Sequence, residues 1–183
     1  MSKVYVNAVE PEGASTVLTL GAVGDTVNIG GTAGAGFGSN APAWMVGINA
    51  NQSIVDATAM KVELDDVKLN SGFTWDTSNY RGTPGTAGTY SISCFADFSA
   101  NTVAHGWVYL YVNGVSQGWW GFSDSHSDHS IQGLGGTKLI TLSATDYVEM
   151  WVNINYSPTS GELRRFDATQ CVTYMSGFKL AGV

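Results

Sequence analysis

Residues 106–114 read Gly-Trp-Val-Tyr-Leu-Tyr-Val-Asn-Gly, and this stretch decides the class of fold. Aromatic side chains at Trp107, Tyr109 and Tyr111 alternate with aliphatic ones, a period-two pattern that is typical of a β-strand. The Asn-Gly pair at 113–114 tolerates the positive φ angles that a two-residue hairpin turn requires. The stretch therefore predicts a strand that is apolar on both faces and turns directly into an antiparallel neighbour.

Three further β-type runs lie on either side of this strand, at residues 88–95, 139–152 and 176–180. Residues 59–69 also alternate with period two. The 183 residues include 23 glycines, 11% aromatic and only 13% charged side chains, a balance typical of all-β proteins. The sequence predicts one main all-β domain, long enough for a real core, with a small appendage.

The charge pattern excludes two classes of partner. The formal net charge is −7, and the longest basic cluster is Arg164-Arg165, so the basic footprint of a nucleic-acid-binding or anionic-membrane-binding protein is missing. No window approaches the roughly 18 consecutive apolar residues of a membrane span. We expect no nucleic-acid partner and no membrane insertion, with synthesis in a cytoplasm.

The first forty residues differ from the rest. Residues 16–20 and 25–29 alternate as short strands, and residues 30–40 form a Gly-rich linker. Two strands this short cannot bury a core alone. We expect residues 1–40 to form a stem that nucleates a trimer or attaches to a larger particle.

The sequence of residues 6–27 resembles a leader segment found on structural proteins of marine tailed bacteriophages, including cyanophages. That resemblance implies a virion protein whose stem contacts other virion proteins.

Residues 41–183 resemble the globular head of the complement-q and tumour necrosis factor superfamily. The resemblance rests on the opening strand at 43–48, Phe-Thr-Trp-Asp at 73–76, Asn113-Gly114, the Leu142 to Asp146 to Val148 pattern, and Met-Ser-Gly-Phe at 175–178. The chain departs from the family where Gly82 replaces a large aromatic residue and where Thr145 replaces glycine. The resemblance implies a compact jelly-roll sandwich that works as a tight homotrimer.

Two strands of this head are apolar on both faces, which suggests a subunit interface. We expect an interface around the threefold axis to be formed by five aromatic residues, Trp107, Tyr109, Tyr111, Tyr147 and Trp151. The alternative is that the rings of residues 107, 109 and 111 form an ordinary core within the sandwich or an aromatic ladder at its surface.

The segment 124–129 concentrates possible metal ligands, Asp124, His126, Asp128 and His129. Carboxylates and imidazoles at this spacing can hold a divalent cation, the one cofactor that the sequence suggests. The alternative is a solvated loop tip in which Asp and Ser satisfy local backbone groups.

Trp119 and Trp120 are adjacent and should point to opposite faces of a strand. One could then reach the surface and stack on a sugar, which makes the pair a candidate ligand-binding site. The alternative is that both are buried, in the core and in the trimer seam.

Cys94 and Cys171 lie in separate predicted strands and have no short-spaced partner. We expect two buried thiols; a single bridge between strands is the alternative.

Motifs of enzymes are missing, since there is no Gly-x-Ser-x-Gly, phosphate-binding loop or His-Glu-x-x-His. Nothing selects a catalytic pair among Asp65, Asp66 and Asp97. We expect a trimeric structural protein at the surface of a tailed-phage virion, either a capsid decoration or a short head fibre. The alternatives are a tail-fibre tip that recognises a host surface glycan and a free carbohydrate-binding module.

Overall fold

Thirteen strands and no helix are present in the residues that the computed structural model describes, which are 41–99, 102–124, 133–157, 161–164 and 172–180. No segment among them is a helix that could cross a membrane. The strands are β1 (Ala43–Gly47), β2 (Gln52–Ile54), β3 (Met60–Lys61), β4 (Asp66–Ser71), β5 (Thr74–Asp76), β6 (Arg81–Thr83), β7 (Gly88–Ser99), β8 (Thr102–Val112), β9 (Val115–Asp124), β10 (Gly133–Leu142), β11 (Val148–Ser157), β12 (Gly161–Leu163) and β13 (Tyr174–Lys179).

The strands form two antiparallel sheets. The seven-stranded sheet has the order β2-β12-β7-β13-β1-β4, and β10 also pairs with β7. The six-stranded sheet has the order β5-β6-β11-β8-β9, and β3 also pairs with β11. The two sheets pack as a jelly-roll sandwich, so the all-β prediction is confirmed.

The core lies between the sheets because the long strands alternate buried side chains with more exposed ones. In β7, Tyr90, Ile92 and Cys94 are buried, whereas the intervening serines are partly exposed. In β8, Val108 and Leu110 point inward and are fully buried. The Trp120 indole of β9 crosses the core and donates a 2.9 Å hydrogen bond to the Ile92 carbonyl of β7.

The predicted hairpin turn joins β8 to β9. Val112 pairs with Val115, and the two residues between them, Asn113 and Gly114, have φ angles of 51° and 76°. Positive φ at both central positions is the geometry that Asn-Gly favours.

The run at 59–69 is divided between the two sheets. β3 pairs with β11, and β4 pairs with β1 of the other sheet. Val62 and Leu64, between them, are buried core residues outside any strand. The run at 139–152 is likewise interrupted by a turn at 143–147, because β10 pairs with β7 and β11 pairs with β8. In the first run the adjacent Asp65 and Asp66 shift the alternation by one residue at the crossing. In the second run the inward apolar residues stay at even-numbered positions on both sides of the turn, so the pattern does not show that the chain changes sheet.

The stem and linker predicted at residues 1–40 lie outside the described residues.

Candidate functional site

The outward side of the six-stranded sheet carries a continuous aromatic surface. In β8 and β11 the inward positions are aliphatic and buried, whereas the outward positions hold rings or polar side chains. We call the following set the aromatic face: Trp107, Tyr109, Tyr111, Trp119, Phe122 and Trp151. Trp119 and Phe122 are the most exposed of them, at 55% and 47%.

Strand register brings these rings together. Tyr109 lies opposite Trp151 on one side and Trp119 on the other, and Trp107 lies opposite Phe122. The ring centroids of Tyr111 and Trp151 are 4.9 Å apart, those of Trp107 and Phe122 are 5.6 Å apart, and those of Trp119 and Phe122 are 5.5 Å apart. These separations are in the range at which aromatic pairs attract one another.

Tyr109 connects two groups of rings on the aromatic face. One group is Tyr111 and Trp151, and the other is Trp107, Trp119 and Phe122. The Tyr109 ring is 6.4 Å from that of Tyr111, and the Tyr109 side chain is hydrogen-bonded to Trp119. Burial, with a smaller contribution from the Tyr111 phenol, raises the pKa of Tyr109, while the Trp119 hydrogen bond opposes this rise. The Tyr109 phenol therefore stays neutral at physiological pH and keeps its hydrogen-bonding proton.

A buried ion pair borders the aromatic face at Trp151. Glu149, only 4% exposed, accepts from Lys61 Nζ at 2.5 Å and from Trp151 Nε1 at 3.3 Å. The Lys61 ammonium also lies 5.8 Å from the centre of the Trp151 ring. A buried carboxylate is costly unless it is paired, and Lys61 supplies the opposite charge for Glu149.

The structure assembles four of the five predicted interface residues, Trp107, Tyr109, Tyr111 and Trp151, on this face. Tyr147 lies instead in the turn before β11, where the Arg81 guanidinium stands 4.6 Å from its ring centre. Whether a neighbouring subunit covers any of these residues stays a prediction.

The adjacent tryptophans point in opposite directions. Trp120 is 5% exposed and belongs to the core, and Trp119 lies on the aromatic face. Trp119 is thus the member of the pair that a surface ligand could contact.

The predicted metal loop falls almost entirely outside the described residues. Asp124 ends β9, and His126, Asp128 and His129 lie in the segment that the structure does not describe. Among the described residues, no three His, Cys, Asp or Glu side chains are grouped as metal ligands.

Sequence reasoning missed a second exposed apolar surface, on the outward side of the seven-stranded sheet. We call it the seven-stranded face. Strand register aligns Leu139 with Ser91 and Phe178, and Thr137 with Ser93, Ser176, Met45 and Leu69. Its large side chains are well exposed, with Leu139 at 63% and Leu69 at 52%. The Ser-x-Ser pattern in β7 resembles a solvated strand, and only the register with three other strands shows the apolar residues around it.

The carboxylates considered for catalysis are each engaged locally. Asp65 accepts from the Asn49 amide at 2.9 Å, Asp66 pairs with Lys68 at 2.7 Å, and Asp97 pairs with Arg164 at 2.5 Å. Asp65 and Asp66 are consecutive residues at the start of β4, and Asp97 lies in β7.

Cys94 is a buried thiol of the core, and burial raises its pKa far above the ordinary value. Such a thiol is a packing residue, since reactivity requires the thiolate. Cys171 lies outside the described residues.

Comparison with known proteins identifies the fold. No protein-family model matches the chain, and no curated protein matches it. Among solved structures, murine APRIL matches with a TM-score of 0.52 and 13% identity, covering 75% of this chain and 98% of that one. The globular domain of zebrafish complement 1qA matches with a TM-score of 0.51 and 16% identity, over 75% and 96% of the two chains. Eiger TNF from S. frugiperda matches with a TM-score of 0.50 and 12% identity, over 77% and 93%.

The chain therefore has the TNF/C1q-like jelly-roll fold. At these identities the likeness concerns the fold alone, and the task of the protein must be argued from its own surfaces.

Proposed function

We propose that this chain is a homotrimeric display head at the surface of a tailed-phage particle. The seven-stranded face packs against neighbouring copies, and residues 1–40 attach the trimer to other virion proteins. The head acts by presenting a surface and carries out no reaction.

The observation that carries this proposal is the composition of the seven-stranded face. Leu69, Leu139 and Phe178 are exposed on a sheet face whose intervening residues are small. Small residues allow another backbone to approach closely, and exposed aliphatic side chains gain about 25 cal/mol for each Å² removed from water. Several large apolar side chains exposed on one sheet face mark a candidate interaction surface.

The aromatic face is the less suitable subunit surface. Its outward residues are rings with polar tips, amides and an ion pair, whereas permanent homo-oligomeric interfaces resemble a core cut in half. The exposed aliphatic residues of the seven-stranded face fit that description better.

Two features of the sequence support the virion location. Residues 6–27 resemble the leader of tailed-phage structural proteins, and residues 30–40 form a Gly-rich linker. The two short β-type runs at 16–20 and 25–29 suit a segment that packs on a larger assembly, since strands this short cannot bury a core alone.

Light scattering of the purified protein tests the trimer. We expect a mass of three times 19.3 kDa, and we expect the double variant Leu139→Asp with Phe178→Asp to be a monomer, because two carboxylates would be buried in the interface. Val115→Asp, at a residue that is 63% exposed beside the β8–β9 turn, is the matched control and should stay trimeric. A monomeric parent protein would refute the trimeric head.

Immunogold labelling of intact phage particles tests the location. Label over the capsid supports the decoration or head fibre, and label at the tail tip supports the receptor-binding alternative. Particles that carry no label while the protein accumulates free in the infected cell would refute the virion assignment.

A further inference from the structure

We propose that the aromatic face binds a neutral polysaccharide, lying along β8 and across β9 and β11. The inference deepens the proposed function, on which it rests, by giving the displayed head a ligand class.

The trimer proposed above does not use the aromatic face. The outward sides of two packed sheets point in opposite directions, so a trimer formed through the seven-stranded face leaves the aromatic face accessible. Trp119 and Phe122 lie on β9, which is an edge strand of the six-stranded sheet.

The chemistry of the outward positions, which are half-buried except for the buried Glu149, suits a sugar. The outward residues of β8 from 105 to 111 and of β11 from 149 to 155 include no aliphatic side chain, and they are His105, Trp107, Tyr109, Tyr111, Glu149, Trp151, Asn153 and Asn155. Flat rings stack on the C–H faces of pyranoses, while phenol, indole, imidazole and amide groups hydrogen-bond to hydroxyls. If two such sheets packed together as a subunit interface, many of these polar groups would be buried, which costs free energy unless they are hydrogen-bonded.

Two unsatisfied atoms support a ligand with hydroxyl groups. Trp107 and Asn153 oppose each other across β8 and β11, and Trp107 Nε1 and Asn153 Oδ1 are buried without a hydrogen-bond partner in the described part of the chain. Each such atom costs free energy until it is paired. A hydroxyl that moves the Asn153 amide aside can donate to the amide oxygen and accept from the indole.

Charge selects a neutral polysaccharide over an acidic one. The protein carries a net charge of −7. Two lysines lie beside the aromatic face: Lys61 is paired with Glu149, and the Lys138 ammonium donates to the Trp119 carbonyl. Arg81, near the same end of the sheet, lies 3.6 Å from Asp76. The excess negative charge of the protein would repel a uronic-acid or sulfated chain, which favours a neutral one.

The size of the aromatic face favours a chain over a single sugar. Alternate residues of a strand are about 6.7 Å apart, so Trp107, Tyr109 and Tyr111 span about 13 Å along β8. The adjacent strands add about 4.8 Å on either side. More than one sugar ring can stack at the same time.

Affinity electrophoresis in native gels tests the inference with four probes: laminarin, hydroxyethylcellulose, galactomannan and dextran. We expect at least one of these neutral polysaccharides to retard the protein. Trp119→Ala and Trp151→Ala should each weaken that retardation by about tenfold in Kd, and Trp119→Phe should restore part of it. Val55→Ala, at an aliphatic side chain that is 57% exposed and does not belong to the aromatic face, should leave it unchanged.

The same variants are measured by light scattering and circular dichroism. Retardation lost in folded trimers supports the inference. No retardation by any of the four polysaccharides refutes it without touching the trimer proposal. Folded but monomeric Trp119→Ala or Trp151→Ala would show instead that the aromatic face is the subunit seam.

Discussion

At the residue scale, hydrogen bonds of Asn113 and Asp146 connect the turn between β8 and β9 to the turn before β11. Asn113 Nδ2 donates to Asp146 Oδ1 at 2.8 Å, and Asn113 Oδ1 accepts from the Tyr147 amide at 3.0 Å. Asp146 Oδ2 accepts from the Ser143 amide at 2.7 Å. These donors, Asn113 first, lower the pKa of Asp146 below its ordinary value of 3.8.

A depressed folded-state pKa gives Asp146 a pH-dependent role. Its stabilisation is fully present above the unfolded pKa and is lost as pH falls through the folded pKa. We expect Asp146→Asn to lower the free energy of unfolding by about 1 kcal/mol at neutral pH, and the difference to disappear well below pH 3.8. Thermal melts of both proteins across pH, with the exposed neighbour changed as Thr145→Ala for control, measure this. A pH-independent difference would show that the carboxylate charge is not involved.

The packing around Gly82 explains why this chain has glycine where the family that it resembles has a large aromatic residue. A Cβ atom there would lie 2.0 Å from the Phe73 ring and 2.5 Å from the Trp75 ring. Phe73 in turn stacks on Trp44 with centroids 3.9 Å apart. The volume of the large residue expected at 82 is thus supplied by neighbouring rings, and the glycine leaves room for them.

At the scale of elements, glycines let β9 of one sheet approach β10 of the other. A Cβ atom on Gly121 would lie 2.7 Å from the Gly135 Cα, and one on Gly136 would lie 2.0 Å from the Trp120 carbonyl oxygen. Both contacts are with backbone, which cannot rotate away as a side chain can. This edge of the sandwich therefore depends on glycine.

We expect Gly136→Ala to destabilise the domain by roughly 1–3 kcal/mol, because β9 and β10 must separate. The lower entropy of the unfolded alanine chain offsets only about 0.4–1 kcal/mol. Chemical denaturation measures the difference, with Val115→Ala, at a residue of β9 that is 63% exposed, as the control. A variant as stable as the parent protein would mean that the two strands separate at little cost.

At the scale of the whole molecule, the two outward faces divide two tasks. The seven-stranded face is proposed to hold the trimer together, and the aromatic face to meet the ligand. Association of subunits stabilises the folded state by mass action.

We therefore expect the melting temperature to rise with protein concentration, since each subunit gains stability only when assembled. The double variant Leu139→Asp with Phe178→Asp should melt at a temperature that does not depend on concentration. Differential scanning fluorimetry over a hundredfold dilution measures both. A parent protein that melts independently of concentration would argue that the subunits fold and unfold singly.

The sequence by itself determined the all-β class and the hairpin at Asn113-Gly114, because alternation and turn chemistry are local properties. The jelly-roll fold was predicted from the resemblance of residues 41–183 to a known family of heads, since local patterns do not specify the order of strands in a sheet. The sequence also determined that Trp119 and Trp120 point to opposite faces. Only the tertiary structure decided that Trp120 is the buried one, and that Leu69, Leu139 and Phe178 share an exposed face. The reason is that alternation divides the side chains of a strand between two sides but does not identify the side that packs against the other sheet. That choice depends on pairing between distant strands.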